Sequence, residues 1–249
     1  MTEASVVSSN NNKPKIVVMV PARTGSKRVK SKNLRLLGDK PLISYVLKTL
    51  NGIEGFDGLY LNSDGEIFRH IAEDYDFKFY HRSSELANDT ATNDAFAYDF
   101  LKAVECDYLL QVLPTSPFIT AKEIEAFVGA MLSRDLDALI SVEAHQIACV
   151  FDGEAVNFER DKVNPPSQDM QPVYSYATVL MGWKRDVFIK NYEDLGVAYH
   201  CPRGKVDYFP ITGISAIDID NEEDFILAEA IMAAMSHINS AEPKYYKET

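Results

Sequence analysis

Residues 16–35 read IVVMVPARTGSKRVKSKNLR. The five consecutive apolar residues 16–20 predict a buried strand, and Pro21 bounds it. The segment that follows is cationic. Arg23, Lys27, Arg28, Lys30, Lys32 and Arg35 add six positive charges, and no carboxylate occurs between Ala4 and Gly38. Gly25 can take positive φ, which lets the loop curl and aim successive N–H groups inward, while Ser26 adds a hydroxyl. A strand leading into a flexible cationic loop suits a polyphosphate at the carboxyl end of a parallel sheet. A solvated basic loop or a nucleic-acid patch would use the same residues. The second is at odds with a net charge of −12 over 249 residues. Neither G-x-x-x-x-G-K-[ST] nor G-x-G-x-x-G occurs, so the P-loop and dinucleotide fingerprints are absent.

A chain of this length is expected to form one domain with an appendage. Its 46% hydrophobic and 11% aromatic content is enough for a substantial core. The acidic balance argues against a nucleic-acid or membrane surface, so an anionic ligand must be drawn by a local cationic cluster. Cys106, Cys149 and Cys201 are widely spaced and form no C-x-x-C, which points to buried or spare thiols rather than zinc or disulfides. No apolar run approaches a membrane span, and residues 1–14 lack a signal-peptide core. A flexible tail at 1–14, another at 239–249 and a cytoplasmic location are the expectations.

The basic stretch resembles the signature of the CMP-sugar synthetases, the acylneuraminate cytidylyltransferase family. It reads Ala22, Arg23, Thr24, Gly25, Ser26, Lys27, then Lys32 and Asn33. Arg28 after Lys27 looks like the pseudaminate branch as much as the sialate branch. A second likeness is residues 82–92, RSSELANDTAT. In the family this loop lies over the nucleotide, which implies a phosphate role for Arg82 and contacts from Thr92 and Asn93. Local physics gives Thr92 or Asn93 a further use as the cap of a helix running to Glu105.

Residues 107–113 read as a central parallel strand, ended by the rigid turn Pro114, Thr115, Ser116, Pro117 that the family shares. Sialate synthetases place Gln before this turn. Here that residue is Leu113, with Gln111 two positions earlier on the same side of the strand. Before this lie a helix over residues 42–50 that starts near Pro41, a strand at 59–62, a helix at 66–75 capped by Ser63 or Asp64, and a strand at 77–81. After it, a helix from Thr120 or Ala121 to Ser133 precedes a strand at 137–142.

The pattern then changes. Over residues 144–204 short mixed segments alternate with turns, and Asp152 with Gly153 signals a hairpin. An antiparallel excursion is expected. The resemblance implies that it pairs two subunits and completes the neighbour's sugar pocket, with Tyr174, Tyr176 and Trp183 favoured as interface residues. Sialate synthetases carry Arg and Asn near Ser175 and Ala177, which this chain lacks.

Residues 216–220, AIDID, match the family's Ile-Asp-Ile-Asp. Read as a strand, they send Ile217 and Ile219 into the core and aim Asp218 and Asp220 together at a site. Two aligned carboxylates are relieved by a divalent cation that takes hard oxygen ligands, here Mg²⁺. Asp220 has a second possible use as a helix N-cap, with Glu223 completing a capping box.

The resemblance implies an α/β fold with a Rossmann-like, mostly parallel sheet of the nucleotide-diphospho-sugar transferase type, over residues 15–238. It implies transfer from CTP to a 2-keto-3-deoxy sugar acid, giving a CMP-sugar and pyrophosphate, by a homodimer. Arg23, Lys27 and Lys32 hold phosphate in this reading, Ser26 hydrogen-bonds it, Asn33 braces the loop or ribose, and Asp218 and Asp220 bind Mg²⁺. Activation of a phosphonate or another acidic acceptor stays open, as does a non-catalytic nucleotide-binding regulator.

Overall fold

A computed structural model describes residues 13–235; the expected tails fall almost wholly outside them. Strand β1 (Ile16–Pro21) forms where the apolar run predicts it, and residues 16–20 are all buried. A run that is apolar on both faces needs cover on both, so it belongs inside a sheet rather than at its edge. It is flanked by β2 (Gly58–Ser63) and β4 (Tyr108–Val112), both parallel to it, with Val18 opposite Leu59 and Leu110. Strand β3 (Lys78–His81) extends the sheet beyond β2, also in parallel. Beyond β4 lie β6 (Val173–Lys184), antiparallel, then β5 (Ala138–His145) and β7 (Val206–Pro210), parallel to β5. The seven strands run in the order β7-β5-β6-β4-β1-β2-β3.

The period-2 alternation of β1 divides the core into two layers. Ile16, Val18 and Val20 meet Ile43, Val46, Leu47 and Leu50 of helix α1 (Leu42–Asn51), within the cluster that also holds α4 (Ala121–Ser133). Val17 and Met19 belong to the opposite layer, with Phe100 and Leu101 of α3 (Asn93–Ala103) and Phe188 of α5 (Arg185–Leu195). Helix α2 (Ile67–Asp74) links β2 to β3. Thr120 starts α4 in a reciprocal capping box with Glu123, as its sequence spacing implies.

A third apolar cluster lies apart from both layers. It joins Val29 of the cationic loop, Leu37 and Leu42 to Ile219 and to Phe225 and Ala228 of α6 (Glu222–Met235). This cluster ties residues 23–35 to residues 218–220, far away in sequence, at the carboxyl ends of β1 and β4.

Several expectations are corrected. The antiparallel excursion is shorter than 144–204. Residues 173–184 return as a strand of the main sheet, and α5 follows directly. What leaves the sheet is residues 146–172, with the hairpin Val150–Phe151 and Glu154–Ala155 turning at Asp152 (φ 47°) and Gly153 (φ 79°). Trp183 is core, buried with its indole N–H donated to the Tyr199 carbonyl at 3.0 Å, because β6 lies inside the sheet. Residues 217–220 are not a strand. Ile219 is buried but Ile217 only partly, and the Ile219 N–H goes to the Thr115 carbonyl at 2.9 Å. Pro41 precedes α1 rather than opening it, and neither Ser63 nor Asp64 caps α2. Helix α3 ends at Ala103, short of Glu105. Among the described residues no helix is long and apolar enough to cross a membrane.

Candidate active site

The carboxyl ends of β1, β3 and β4 converge on one cavity of about 270 Å³. Open α/β sheets bind ligands at this end because the strand-to-helix loops collect there. Three strand exits are stitched together by backbone and side-chain hydrogen bonds. The Ala22 N–H donates to Asn62 O at 2.9 Å, the Arg82 N–H to Ser63 O at 2.9 Å, and Arg82 Nη2 to Ala22 O at 2.9 Å.

The basic stretch enters the cavity as Arg23, Ser26, Lys27, Arg28, Lys32 and Asn33. Its turn does not use the freedom open to Gly25. Gly25 does not occupy positive φ; Ser31 does, at φ 51°, just before the short helical turn Lys32–Leu34. Thr24 anchors the loop, donating its N–H and hydroxyl to Asp64 at 3.1 and 2.7 Å. Burial alone would raise the Asp64 carboxyl, but these hydrogen bonds and the Arg82 charge hold it below the usual carboxylate range. Asp64 is thus a brace for the loop rather than a helix cap. Arg35 also turns structural, its guanidinium 3.9 Å over the Phe225 ring and 2.5 Å from Glu222.

Arg82 is not a surface residue. It is 3% exposed, lies 4.7 Å over the Phe96 ring and lines the cavity. Burial, with Arg23 adding to it, pulls its guanidinium down to about 10 against the opposing charges of Asp64 and Asp99. It stays charged at neutral pH.

The acidic pair faces the cationic loop across the same cavity. Asp220 Oδ1 lies 3.0 Å from Arg28 and 3.2 Å from Lys32, and Lys32 also donates to the Ile219 carbonyl. Asp220 is free to do this because it does not cap α6. Asn221 Oδ1 accepts from the Asp224 N–H at 3.0 Å, and Asp224 Oδ2 accepts from the Asn221 N–H at 2.9 Å, so the capping box belongs to those two residues. Asp218 is more deeply set. Burial pushes its carboxyl up and the Asp220 charge adds to this, while the Thr115 and Thr178 hydroxyls and Lys32 pull the other way.

Three polar atoms on residues lining the cavity are buried without a partner: Asn33 Oδ1, Arg82 Nε and Asp218 Oδ1. Each buried, unpaired polar atom costs about 1–3 kcal/mol, so a group of them at one cavity calls for a ligand. A carboxylate covers part of the positive charge. Asp89 takes Arg23 at 3.0 Å and also Lys27, and these partners hold its carboxyl below the usual range.

Not every predicted residue reaches the cavity. Thr24 and Gly25 lie beside the lining rather than in it. Thr92 is an N-cap, accepting from the Ala95 N–H at 3.2 Å, and Asn93 accepts from Gln111 Nε2 at 2.8 Å. Their sequence signal was that of a helix start, and that is the role they fill. Arg28 lines the cavity as part of the basic stretch, Pro114 and Thr115 as part of the turn after β4, and Leu113 and Phe96 join them. The Pro114–Pro117 turn pointed to Thr115; Phe96 carried no signal beyond its helix.

Beside this cavity is a second of about 340 Å³, lined by Glu143, Tyr176, Ala177, Thr178, Gly213, Ala216, Ile217, Asp218, Asp224 and Leu227. The two meet at Asp218.

Residues 17–196 match the cytidylyltransferase family. The chain belongs to this family. It is 30% identical over 243 residues to the N-acylneuraminate cytidylyltransferase of Escherichia coli O18:K1:H7, covering 87% of this chain and 52% of that protein. The chain thus spans about half the length of such relatives. It is 25% identical over 230 residues to post-translational flagellin modification protein B of Campylobacter coli, covering 87% of this chain and 94% of that one. A 3-deoxy-manno-octulosonate cytidylyltransferase of Hydrogenovibrio crunogenus is 25% identical over 198 residues, covering 78% and 77% of the two chains. The fold superposes on a CMP:2-keto-3-deoxy-manno-octonic acid synthetase complexed with CTP at a TM-score of 0.65 and 17% identity, covering 89% of this chain and 99% of that one.

Proposed function

We propose that the chain transfers the cytidylyl group of CTP to the anomeric hydroxyl of a 2-keto-3-deoxy sugar acid, a nonulosonate such as sialic, pseudaminic or legionaminic acid, releasing pyrophosphate. The observation that carries this reading is the confrontation of loop and acidic pair. Arg23, Lys27, Arg28 and Lys32 line one cavity with Asp218 and Asp220. Attack at the α-phosphorus is opposed by the triphosphate's own charge, so catalysis is mainly positioning and charge neutralisation. Arg23 and Lys27 exchange Asp89 for phosphate oxygens, Lys32 holds a phosphate beside Asp220, and Ser26 donates its hydroxyl. Arg82 Nε and Asn33 Oδ1, buried without a partner, bond to the nucleotide. The nucleophile is the substrate's hydroxyl, so no covalent enzyme intermediate is required.

Asp218 and Asp220 fit a Mg²⁺ ion, since Asp218 Oδ1 is buried without a partner and both groups are hard oxygen donors. When bound, such an ion neutralises phosphate charge and lowers the pKa of a coordinated hydroxyl. The second cavity, meeting the first at Asp218, takes the acceptor.

A homodimer belongs to the same reading. On the 146–172 excursion Phe151 is 79% exposed and Val163 94%, and Ile147, Val150 and Val156 are also exposed. A second copy covering these side chains removes them from water. The decisive experiment is pyrophosphate release from CTP and Mg²⁺ with a panel of sugar acids and phosphonates. Release with a nonulosonate supports the proposal; release with none, despite CTP binding, would leave a nucleotide-binding protein.

A further inference from the structure

Strand β6 does not run evenly between its neighbours. Tyr176 is opposite Val142 on β5, but the next registered residue, Met181, is opposite Ile140. Five positions on one strand therefore match two on the other, and residues 177–180 bulge. Bulges re-aim side chains and gather near active sites. Within this one sits Thr178, at φ 54°. That is the left-handed region, which a β-branched side chain is poorly suited to enter and which glycine or asparagine adopts far more readily.

The conformation is imposed from both sides. Ala177 and Val179 are buried, the Leu113 N–H donates to the Val179 carbonyl at 3.1 Å, and the Leu180 N–H donates to Ser141 Oγ at 2.9 Å. With its neighbours pinned, Thr178 is held with its hydroxyl donating to Asp218 Oδ2 at 3.1 Å. The other oxygen, Asp218 Oδ1, is left buried and unpaired. The Thr115 hydroxyl also acts on this carboxylate; held in this way it cannot rotate freely, and the unpaired oxygen keeps a set direction.

We propose that Thr178 is a positioning residue: the strained bulge on β6 exists to aim a hydroxyl at Asp218 and orient its free oxygen for the ligand at the junction of the two cavities. This rests on the cytidylyltransferase reading of the site. Strain concentrated at a position that touches the site is how such geometry is stored, and hydrogen bonds that orient metal-binding carboxylates commonly matter 10–100-fold.

Three variants separate the hydroxyl from the backbone. Thr178→Gly removes both strain and hydroxyl, Thr178→Val keeps the strain and loses the hydroxyl, and Thr178→Ser keeps the hydroxyl. The expected result is a fall in kcat of about 10–100-fold in Gly and Val, with the KM for CTP little changed and most of the loss recovered in Ser. Two readouts do not depend on turnover. Mn²⁺ binding in the presence of CTP, followed by electron paramagnetic resonance, weakens in Gly and Val. The free Thr178→Gly protein melts no lower than the wild type, since glycine accepts this backbone. The proposal is overturned if Gly keeps wild-type kcat and Mn²⁺ affinity, if Ser is as impaired as Gly, or if Gly melts several degrees lower, which would make the bulge a device of folding alone. Absence of pyrophosphate release by the wild type with every acceptor would overturn the activity instead, and the Mn²⁺ and melting data would still decide the role of Thr178.

Discussion

The two cavities that meet at Asp218 are opposites in charge and in origin. The first is lined by Arg23, Lys27, Arg28, Lys32 and Arg82 facing Asp218 and Asp220. The second has Glu143, Asp218 and Asp224 in its lining and no Lys, Arg or His. The first takes most of its chemistry from one contiguous stretch, while the second is gathered from β5, the β6 bulge, residues 213–218 and α6. A charged triphosphate needs dense positive charge, and a short loop supplies it. An uncharged face of an acceptor needs shape and a few hydrogen-bonding groups, which any part of the fold can supply. On the proposed reaction, an acceptor carboxylate would meet no Lys, Arg or His in this second lining.

The sharpest way to break the contrast is at the junction. Asp220→Ala removes the partner of Arg28 and Lys32, and turnover should fall on the order of 10³-fold or more. Circular dichroism should show a near-intact fold, because the residue caps nothing. Full activity in that variant would detach the acidic pair from the chemistry. Next in size, Lys32→Ala should lower kcat/KM by about 10²-fold, as expected when one preorganised charge donor is lost. Its side chain is only 13% exposed, against 78% for Lys27.

Lys27→Ala should therefore act more gently, through the KM for CTP, by about 10-fold, since an exposed, screened charge contributes less. An unchanged kcat/KM would remove Lys27 from the site. Asp89→Asn works in the opposite direction. It takes away the carboxylate that occupies Arg23 and Lys27, so the KM for CTP should drop a few-fold; a rise would show that Asp89 shapes the loop rather than competing with phosphate. The smallest effect belongs to the second cavity. The Glu143 carboxylate has no hydrogen-bond or ion-pair partner among the described residues, and Glu143→Gln should change the ranking of acceptors while leaving the KM for CTP unaltered.

The difference in origin also explains what could be read in advance. Residues 16–20 announce a central strand because only burial on both faces explains an unbroken apolar run. The cationic loop is equally plain, since six charges without a carboxylate need a partner. The pairing of Asp218 with Asp220 was visible, though for the wrong geometric reason: they share the cavity as parts of an irregular segment, not as alternate residues of a strand. Thr92 and Asn93 read as nucleotide contacts by resemblance and as a helix start by physics; the two uses are compatible, and the structure displays the second, with Thr92 capping α3. The excursion is shorter than 144–204 because residues 174–181, which read as one more of its short segments, belong to Val173–Lys184, a strand of the main sheet whose bulge interrupts any regular period.

The sequence by itself determined the parallel sheet, the basic loop and the need for an anionic ligand, because these follow from local runs of apolar and charged residues. Tertiary structure alone decided that Arg82 would be buried, that Asn221 rather than Asp220 would cap the last helix, and that Val29 would pack with Ile219 and Phe225 to bring loop and acidic pair together. Those outcomes depend on contacts between residues up to about 190 positions apart, and no local pattern encodes which distant neighbour a side chain will meet.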